Sequence, residues 1–491
     1  MRNIVLVTSL FIMTISLYSQ GVADAVRWSL LSPGGTARTL GVGGSFGAMG
    51  GDFSVININP AGIGEYKKSE FTITPSIVLT ESKSFFKADP TKLKTYQSSA
   101  FALDNAALVI STAPGGRWVN SNFTIGFSKI ADLNRSFEIS GDTKGSITNR
   151  FAERANGKVL DDLDDFEAWP AYKVGAIYDV NGDRNYTSDV LSTDNLSKYQ
   201  LVNQEGQISE FSMGWAGNYE NKMNIGFSMG IPFVTFNESK QYTEDDVLDE
   251  IPFFNELKYD EFLSTTGVGI NFKAGFTYKA SNKLRIGAAI HSPTWYTLTD
   301  DYSTNIEFVY YDQQILRNSF QSPAGSFKYA FSNPWRAVGS IGSIYNLGKI
   351  KGFVNADLEF VDYTSSNFNL AKFSNDPGEI TFSQEVNRDI NRFLGRATIL
   401  RLGTELAYSK VRFRIGTEQA QSPFNADAGR FSTNSFGFGL REDKFFIDLG
   451  VQYRSRVEGY LPYTVLESEN DPLANVNLKK TRIVLTTGFK F

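Results

Sequence analysis

Few side chains in this sequence are equipped for covalent chemistry. The chain has no cysteine and a single histidine, His291. That excludes disulfide frameworks, thiolate metal sites, Cys nucleophiles and any centre needing two imidazoles. His291 among many serines suggests a hydrolase base, but no Gly-x-Ser-x-Gly nucleophile turn lies in a suitable context. No catalytic residue is therefore assigned, and the chain is not read as an enzyme. Oxygen ligands gather in Asp179-Val180-Asn181-Gly182-Asp183-Arg184-Asn185, followed by Asp189. Gly182 and the absent glutamate at the twelfth position depart from an EF-hand loop. An exposed turn is favoured over a Ca²⁺ site, and no metal and no cofactor is expected. Arg412, Arg414 and Glu418 share a strand face, as do Asp357 and Glu359. They read as charges of a polar interior that pair with one another; a substrate carboxylate on Arg412 or Arg414 is the sharper alternative. With 48 Lys and Arg against 53 Asp and Glu, the formal charge is -5, which offers no electrostatic footprint for nucleic acid.

The elements that must position these groups are strands. Aromatic residues make up 14% of the chain, with 43 Gly and only 15 Pro, a mixture suited to strands and turns. Arg2, the apolar runs Ile4 to Val7 and Leu10 to Met13, and the small-residue exit through Ser16 and Ser19 read as a secretory signal peptide over 1–19. Thr8, Ser9, Thr14 and Ser16 interrupt the apolar stretch, which is shorter than the roughly 20 residues of a spanning helix. Nothing else is apolar for long enough to span as a helix, and the mean hydropathy is -0.23. The mature chain is then either soluble and exported, or enters a membrane as strands.

Several segments alternate with period two. Met223, Ile225, Phe227, Met229, Ile231 and Phe233 oppose Asn224, Gly226, Ser228 and Gly230. Val268 to Lys279 and Phe445 to Arg454 repeat the pattern, and on the strand from Lys283 the residues Arg285, Gly287, Ala289 and His291 share the polar face. One face is greasy, the other polar or tiny. Strands are placed at 71–80, 104–113, 121–131, 208–219, 222–236, 266–280, 283–298, 334–346, 350–363, 397–408, 411–420, 431–441, 444–457 and 480–491. Every second connection is tight, such as Glu220-Asn221, Ser281-Asn282, Ser409-Lys410 and Glu442-Asp443. The intervening ones are mostly long: 81–103, 132–207, 237–265, 299–333, 364–396, 421–430 and 458–479. That parity marks a transmembrane barrel with brief turns on one side and extended loops on the other. The expectation is an all-β fold, a transmembrane antiparallel β-barrel of about 14 strands occupying 69–491. The terminal alternating strand, ending at Phe491, resembles an assembly signal read by a barrel-assembly machinery.

Between signal and barrel, 20–68 lacks period-two pattern and is rich in glycine. It contains Ala37-Arg38-Thr39-Leu40-Gly41-Val42-Gly43-Gly44 and, further on, Asn59-Pro60-Ala61-Gly62. In position and spacing this pair resembles the N-terminal hatch of the FadL/TodX (OmpP1) family of channels for long-chain fatty acids and other hydrophobic compounds. The resemblance implies a fourteen-stranded barrel in the outer membrane of a Gram-negative bacterium, plugged within its lumen by this segment. Plug residues would be Arg38, Gly41, Gly43, Gly44, Asn59, Pro60, Ala61 and Gly62. Hydrophobic molecules would be captured outside and released passively after the hatch rearranges, and a kinked strand would leave a side opening. Partners would be such molecules, outer-membrane lipid and lipopolysaccharide. The alternatives are a surface adhesion or structural outer-membrane protein and a polar porin.

Capture of a greasy molecule needs apolar surface on the loops. Val386, Ile390, Phe393 and Leu394 form one stripe of a short helix within 364–396. Leu163, Phe166 and Trp169 recur near every third residue among aspartates. Phe253 and Phe254, with Leu257, make a third cluster. Each is a candidate ligand surface or, alternatively, a loop core.

Overall fold

The computed structural model describes residues 19–32, 34–425, 430–466 and 471–491. The expected signal peptide lies outside them except for Ser19. The chain forms a closed antiparallel barrel of 14 wall strands. Its strands are β1 (Glu70–Phe86), β2 (Asp89–Thr112), β3 (Trp118–Asp132), β4 (Arg135–Lys144), β5 (Asn195–Tyr219), β6 (Met223–Asp245) and β7 (Phe254–Lys279). They continue as β8 (Leu284–His291), β9 (Trp295–Asp312), β10 (Gln314–Gln321), β11 (Gly325–Ser332), β12 (Arg336–Leu347), β13 (Ile350–Asp362) and β14 (Asn367–Asn369). The last are β15 (Arg396–Tyr408), β16 (Val411–Gln421), β17 (Arg430–Arg441), β18 (Phe445–Tyr460) and β19 (Ala474–Lys490). Four wall strands are interrupted: β3 with β4, β8 with β9, β10 through β12, and β13 with β14. Pairing of β1 with β19, from Glu70↔Lys490 to Phe86↔Ala474, closes the cylinder.

The alternation has the cause that the sequence suggests. On β6, Phe227 and Phe233 face outward and are exposed, while Asn224 and Ser228 are buried in the lumen. The outward apolar run ends at Phe233 and gives way to Thr235 and Asn237, matching the roughly 9–11 residues a tilted strand needs to cross a bilayer. No helix among the described residues is long and apolar enough to cross a membrane. The tight turns gather at one end, where Glu220 and Asn221 adopt φ of 51° and 53°, the left-handed pair of a two-residue hairpin.

At the other end several connections expected as loops are strand. The 81–103 connection is a hairpin, with β1 running to Phe86 and β2 starting at Asp89. Likewise β6 and β7 extend through most of 237–265, and β9 through β11 through most of 299–333. There the outward face turns polar, as at Glu81, Lys83, Ser239 and Gln241, while the inner face is buried, so the greasy-out alternation disappears although the ladder continues. The 132–207 connection holds β4, two helices of a loop-end cap over Ile147–Ala155 and Ala168–Val174, and the first half of β5. A helix over Pro377–Phe393 occupies 364–396, with Asp376 capping its first amides.

Before β1 the chain enters the lumen. It forms a helix over Ser19–Ser29, a short helix over Ala37–Gly41 and 3₁₀ turns over Phe53–Asn57 and Pro60–Glu65. Phe46, Phe53, Val55, Ile56 and Ile63 of this segment are buried against Ala107, Val109, Ala216 and Phe353 of the wall.

Candidate functional site: a plugged bore with a side gap

Three features define the site: the plug, a break in the wall, and a chamber between them. Plug residues are held by polar groups on the lumenal face of many strands. Arg38 makes a bidentate pair with Glu405, at 2.9 and 3.0 Å, and donates to the carbonyl of Gly51. The Phe46 amide donates to Asp357 at 2.8 Å, the Ala37 amide to Thr486 at 2.7 Å, and Asn122 donates to the Ile63 carbonyl at 2.7 Å. Asn59 is central. Its amide nitrogen donates to Gly47 O at 2.7 Å and to Phe276 O on β7 at 3.1 Å, while its oxygen accepts from the Ala61 amide at 3.2 Å. Pro60 opens the 3₁₀ turn that Asn59 caps, where its missing N–H costs nothing. Thus Asn59, Pro60 and Ala61 form one capped turn pressed on the wall. Gly51 donates to the Gly62 carbonyl at 3.1 Å, linking the two halves of the plug.

Glycines permit this contact from both sides. A Cβ on Gly275 would lie 2.0 Å from Asn59 Oδ1, and one on Gly416 would lie 2.0 Å from the Val42 carbonyl carbon. Gly43, at φ 69°, needs the left-handed region as well as the space beside Thr417. Gly41 meets Gly437, and Gly44, also at positive φ, abuts Arg401. The lumenal phase of the strand alternation carried this signal: Gly226 and Gly275 sit where the sequence pattern has its tiny residues.

Lumenal charges form ion pairs among themselves and with the plug. Arg414 is buried and bound to Glu405 and Asp448, each at 2.7 Å. Arg412 lies near the tight-turn end and donates to the carbonyls of Ser409 and Val411. His291 is buried, with Nε2 3.0 Å from the Ile58 carbonyl of the plug. In 179–189, the Asp179 carboxylate accepts the amides of Gly182 and Arg184 and Asp189 accepts the Tyr178 hydroxyl, so local donors occupy these oxygens.

The wall breaks between β2 and β3. Their ladder runs from Thr112↔Ser121 to Asn105↔Ser128 and ends there. Beyond a bulge at Lys129 to Ala131 the third wall strand bends inward. Its continuation β4 lies inside β1, where Ser82 donates to the Ser136 carbonyl at 2.8 Å. Phe137 and Ile139 pack there with Phe86, Val202 and Val476. Carbonyls released by the bend take donors from the plug: Ser32 N donates to Ile130 O at 2.9 Å, and Gly34 N to Lys129 O at 2.7 Å. Where the ladder is lost, side chains bridge the strands. Lys129 is paired with Asp104 at 3.1 Å and Asp132 at 3.2 Å; Arg482 binds Asp104 at 2.7 Å and Lys480 binds Asp132 at 2.9 Å. Sequence reasoning missed this cluster, because a loss of pairing between distant segments leaves no local pattern.

A cavity of about 730 Å³ lies between the plug's first helix and this bend, lined by Val26, Arg27, Leu30, Asp132, Leu133 and Arg135 among others. Burial raises the Asp24 carboxyl of that helix, at the loop end, to about 7, outweighing the opposing pull of Arg27. The nine candidate capture residues do not line the cavity. Leu163, Phe254 and Leu257 are buried in a cap core with Phe151 and Tyr259. Phe166 is half-buried against Tyr302, Trp169 stacks on Tyr172, and Phe253 is exposed. Ile390 and Leu394 are buried with Ala25, Val26 and Trp28 of the plug helix, with Phe393 half-buried beside them. The loop helix therefore touches the plug directly.

A membrane-spanning β-barrel stoppered by its own leading segment is the class that fold and site define. None of the protein-family models and none of the curated proteins compared matches this sequence. Among solved structures the chain is similar to a FadL homologue from Pseudomonas aeruginosa, with TM-score 0.56 and 10% identity, over 94% of this chain and 100% of that one. It is also similar to the toluene transporter TodX from Pseudomonas putida, with TM-score 0.52 and 12% identity, over 93% and 99%. The fold is that of FadL/TodX-type proteins.

Proposed function

We propose that the chain is an outer-membrane channel of a Gram-negative bacterium, exported by its signal peptide, for passive uptake of hydrophobic molecules, long-chain fatty acids among them. No covalent chemistry is involved. First contact falls to the cap, where Phe253, Trp169 and Phe393 keep apolar surface exposed or half-exposed. The chamber follows, and the break between β2 and β3 offers a side exit toward the bilayer. Hatch movement releases the substrate through it. The observation that carries this reading is the pair of hydrogen bonds from Ser32 and Gly34 to Ile130 and Lys129. Through them a shift of the plug acts on the strand that borders the gap. The chamber's many ionic groups favour amphiphiles with a charged head over bare hydrocarbons, whose transfer gains little from a polar cavity. Similarity in fold to a protein whose structure is described as a toluene transporter supports the general class. Assembly by a barrel machinery and contact with lipopolysaccharide belong to the same proposal.

The test is uptake of a fluorescent long-chain fatty acid by cells carrying the chain, lacking it, or carrying Asn59→Ala. Loss of uptake on deletion and altered uptake in the variant support the proposal. Equal uptake of every hydrophobic probe with and without the chain refutes it.

A further inference from the structure

Charge is spread unevenly along the barrel axis. The whole chain carries -5, yet each of the six tight turns holds a cation: Arg117, Lys222, Lys283, Lys349, Lys410 and Lys444. Against them stand Glu220, Glu442, Asp443 and the carboxylate that ends the chain at Phe491. Arg117 is paired with Glu220 and Lys410 with Glu442, each at 2.7 Å. Lys222, Lys283, Lys349 and Lys444 are exposed and form no ion pair among the described residues, and the same holds for Lys67 and Lys68, where the plug passes into β1. Just inside the rim, Glu65 of the plug is shared by Lys279 at 3.0 Å and Arg285 at 3.4 Å, while Lys351 is exposed and unpaired. Deeper in the bore the charges balance: Arg38, Arg414 and Arg441 face Glu405, Asp448 and Asp52. The cationic excess is therefore confined to the rim.

That rim faces the mouth of the bore, not the surrounding lipid. Tyr278, Leu284, Ile350 and Phe489 are exposed on the lipid face. Successive residues of a strand point to opposite faces, so Lys279, Arg285, Lys351 and Lys490 point over the mouth. The reach of Lys279 and Arg285 to the plug agrees with this. Successive turns stand two strands apart, about 10 Å. A small anion meets one or two of them, whereas a run of carboxylates along a polypeptide meets several at once.

We propose that the mouth at the tight-turn end is a docking surface for an acidic segment of a periplasmic protein. Brief turns of an outer-membrane barrel face the periplasm, and complementary charge steers such a partner to the rim. Docked carboxylates compete with Glu65 for Lys279 and Arg285. Glu65 closes the Pro60–Glu65 turn that Asn59 caps, so docking loosens the plug from below. The side of the membrane rests on the outer-membrane reading, and the link to the hatch rests on the uptake reading.

Full-length protein in an uncharged maltoside detergent is titrated with fluorescent poly-L-glutamate. Binding should weaken at least ten-fold between about 0.05 and 0.3 M salt, as screening shortens the reach of each charge. Lys222→Gln, Lys283→Gln, Lys349→Gln and Lys444→Gln together should cost at least ten-fold. The same change at four exposed lysines of the loop end, Lys92, Lys173, Lys328 and Lys372, should leave affinity within about two-fold. Amides of Gly62 to Glu65 should exchange faster when the polymer is bound, an acceleration that Glu65→Gln removes. Absence of binding, or equal loss in both fourfold variants, overturns the docking surface and leaves the uptake reading standing. Retention of phosphatidylglycerol that the turn variant loses, with no binding of poly-L-glutamate, assigns the rim to the lipid leaflet and overturns the proposal. Binding with unchanged exchange in the plug overturns the link to the hatch.

Discussion

Asn59→Ala isolates the plug from the barrel. The side chain is 1% exposed and makes hydrogen bonds to Gly47 O, Phe276 O and the Ala61 amide. Removing one buried hydrogen bond typically costs about 0.5–1.5 kcal/mol net, and the lost cap contributes within the same range. The three together are worth about 2–4 kcal/mol, which at about 1.4 kcal/mol per tenfold loosens the plug roughly 30- to 700-fold. The wall loses one hydrogen bond from Asn59, at Phe276, and its own ladder through β6, β7 and β8 is untouched. Amide hydrogen exchange resolves the two, because locally opening units exchange independently of the global transition. Amides of Phe46 to Glu65 should exchange faster by that factor in the variant, with β6 and β7 unchanged. Unaltered exchange in the plug, or equal acceleration of plug and wall, refutes the assignment of Asn59 as the plug's fastening.

Gly416→Val places a β-branched residue where strand geometry accepts it but the Val42 carbonyl does not; overpacking costs about 1–3 kcal/mol, so planar-bilayer conductance should rise while the barrel stays heat-modifiable on gels. Asp104→Asn leaves Lys129 with Asp132 alone and deprives Arg482 of its paired carboxylate; removing one member of a buried pair costs about 3–5 kcal/mol, so exchange at Lys129 to Arg135 should accelerate sharply. Asp24 has its carboxyl raised by burial to about 7. The docked form therefore holds a proton that the released form does not between the ordinary carboxylate range and about 7. Plug docking weakens as pH rises through that window and levels off above it. Asp24→Asn should remove this slope from the protease sensitivity of the plug helix.

What the sequence revealed was set by environment. Lipid outside and polar groups inside force the period-two pattern from Met223 to Phe233, so all the bilayer-crossing segments could be placed. Glu81 to Ser84 alternates as well, but Glu81 and Lys83 face water while Ser82 and Ser84 face β4. Polar residues on both faces hide the strand, and the hairpin reads as a loop. The stripe of Val386, Ile390 and Leu394 was legible because its helix covers an apolar surface. That the surface includes Trp28 of the plug was not, since it depends on a fold-back of the leading segment. The plug's polar fastening at Arg38 and Asn59 could be found only through family resemblance. The bend at Lys129 to Asn134 carries no breaker residue of its own, and its ionic bridges involve β2, β3 and β19.

The most direct test of the central claim is uptake through the side gap itself. The chain has no cysteine, so a cysteine pair introduced across β2 and β3 above Asn105 and Ser128 can staple the gap reversibly. The account predicts that oxidation abolishes uptake of a fluorescent long-chain fatty acid and reduction restores it. Undiminished uptake with the staple fully formed contradicts it.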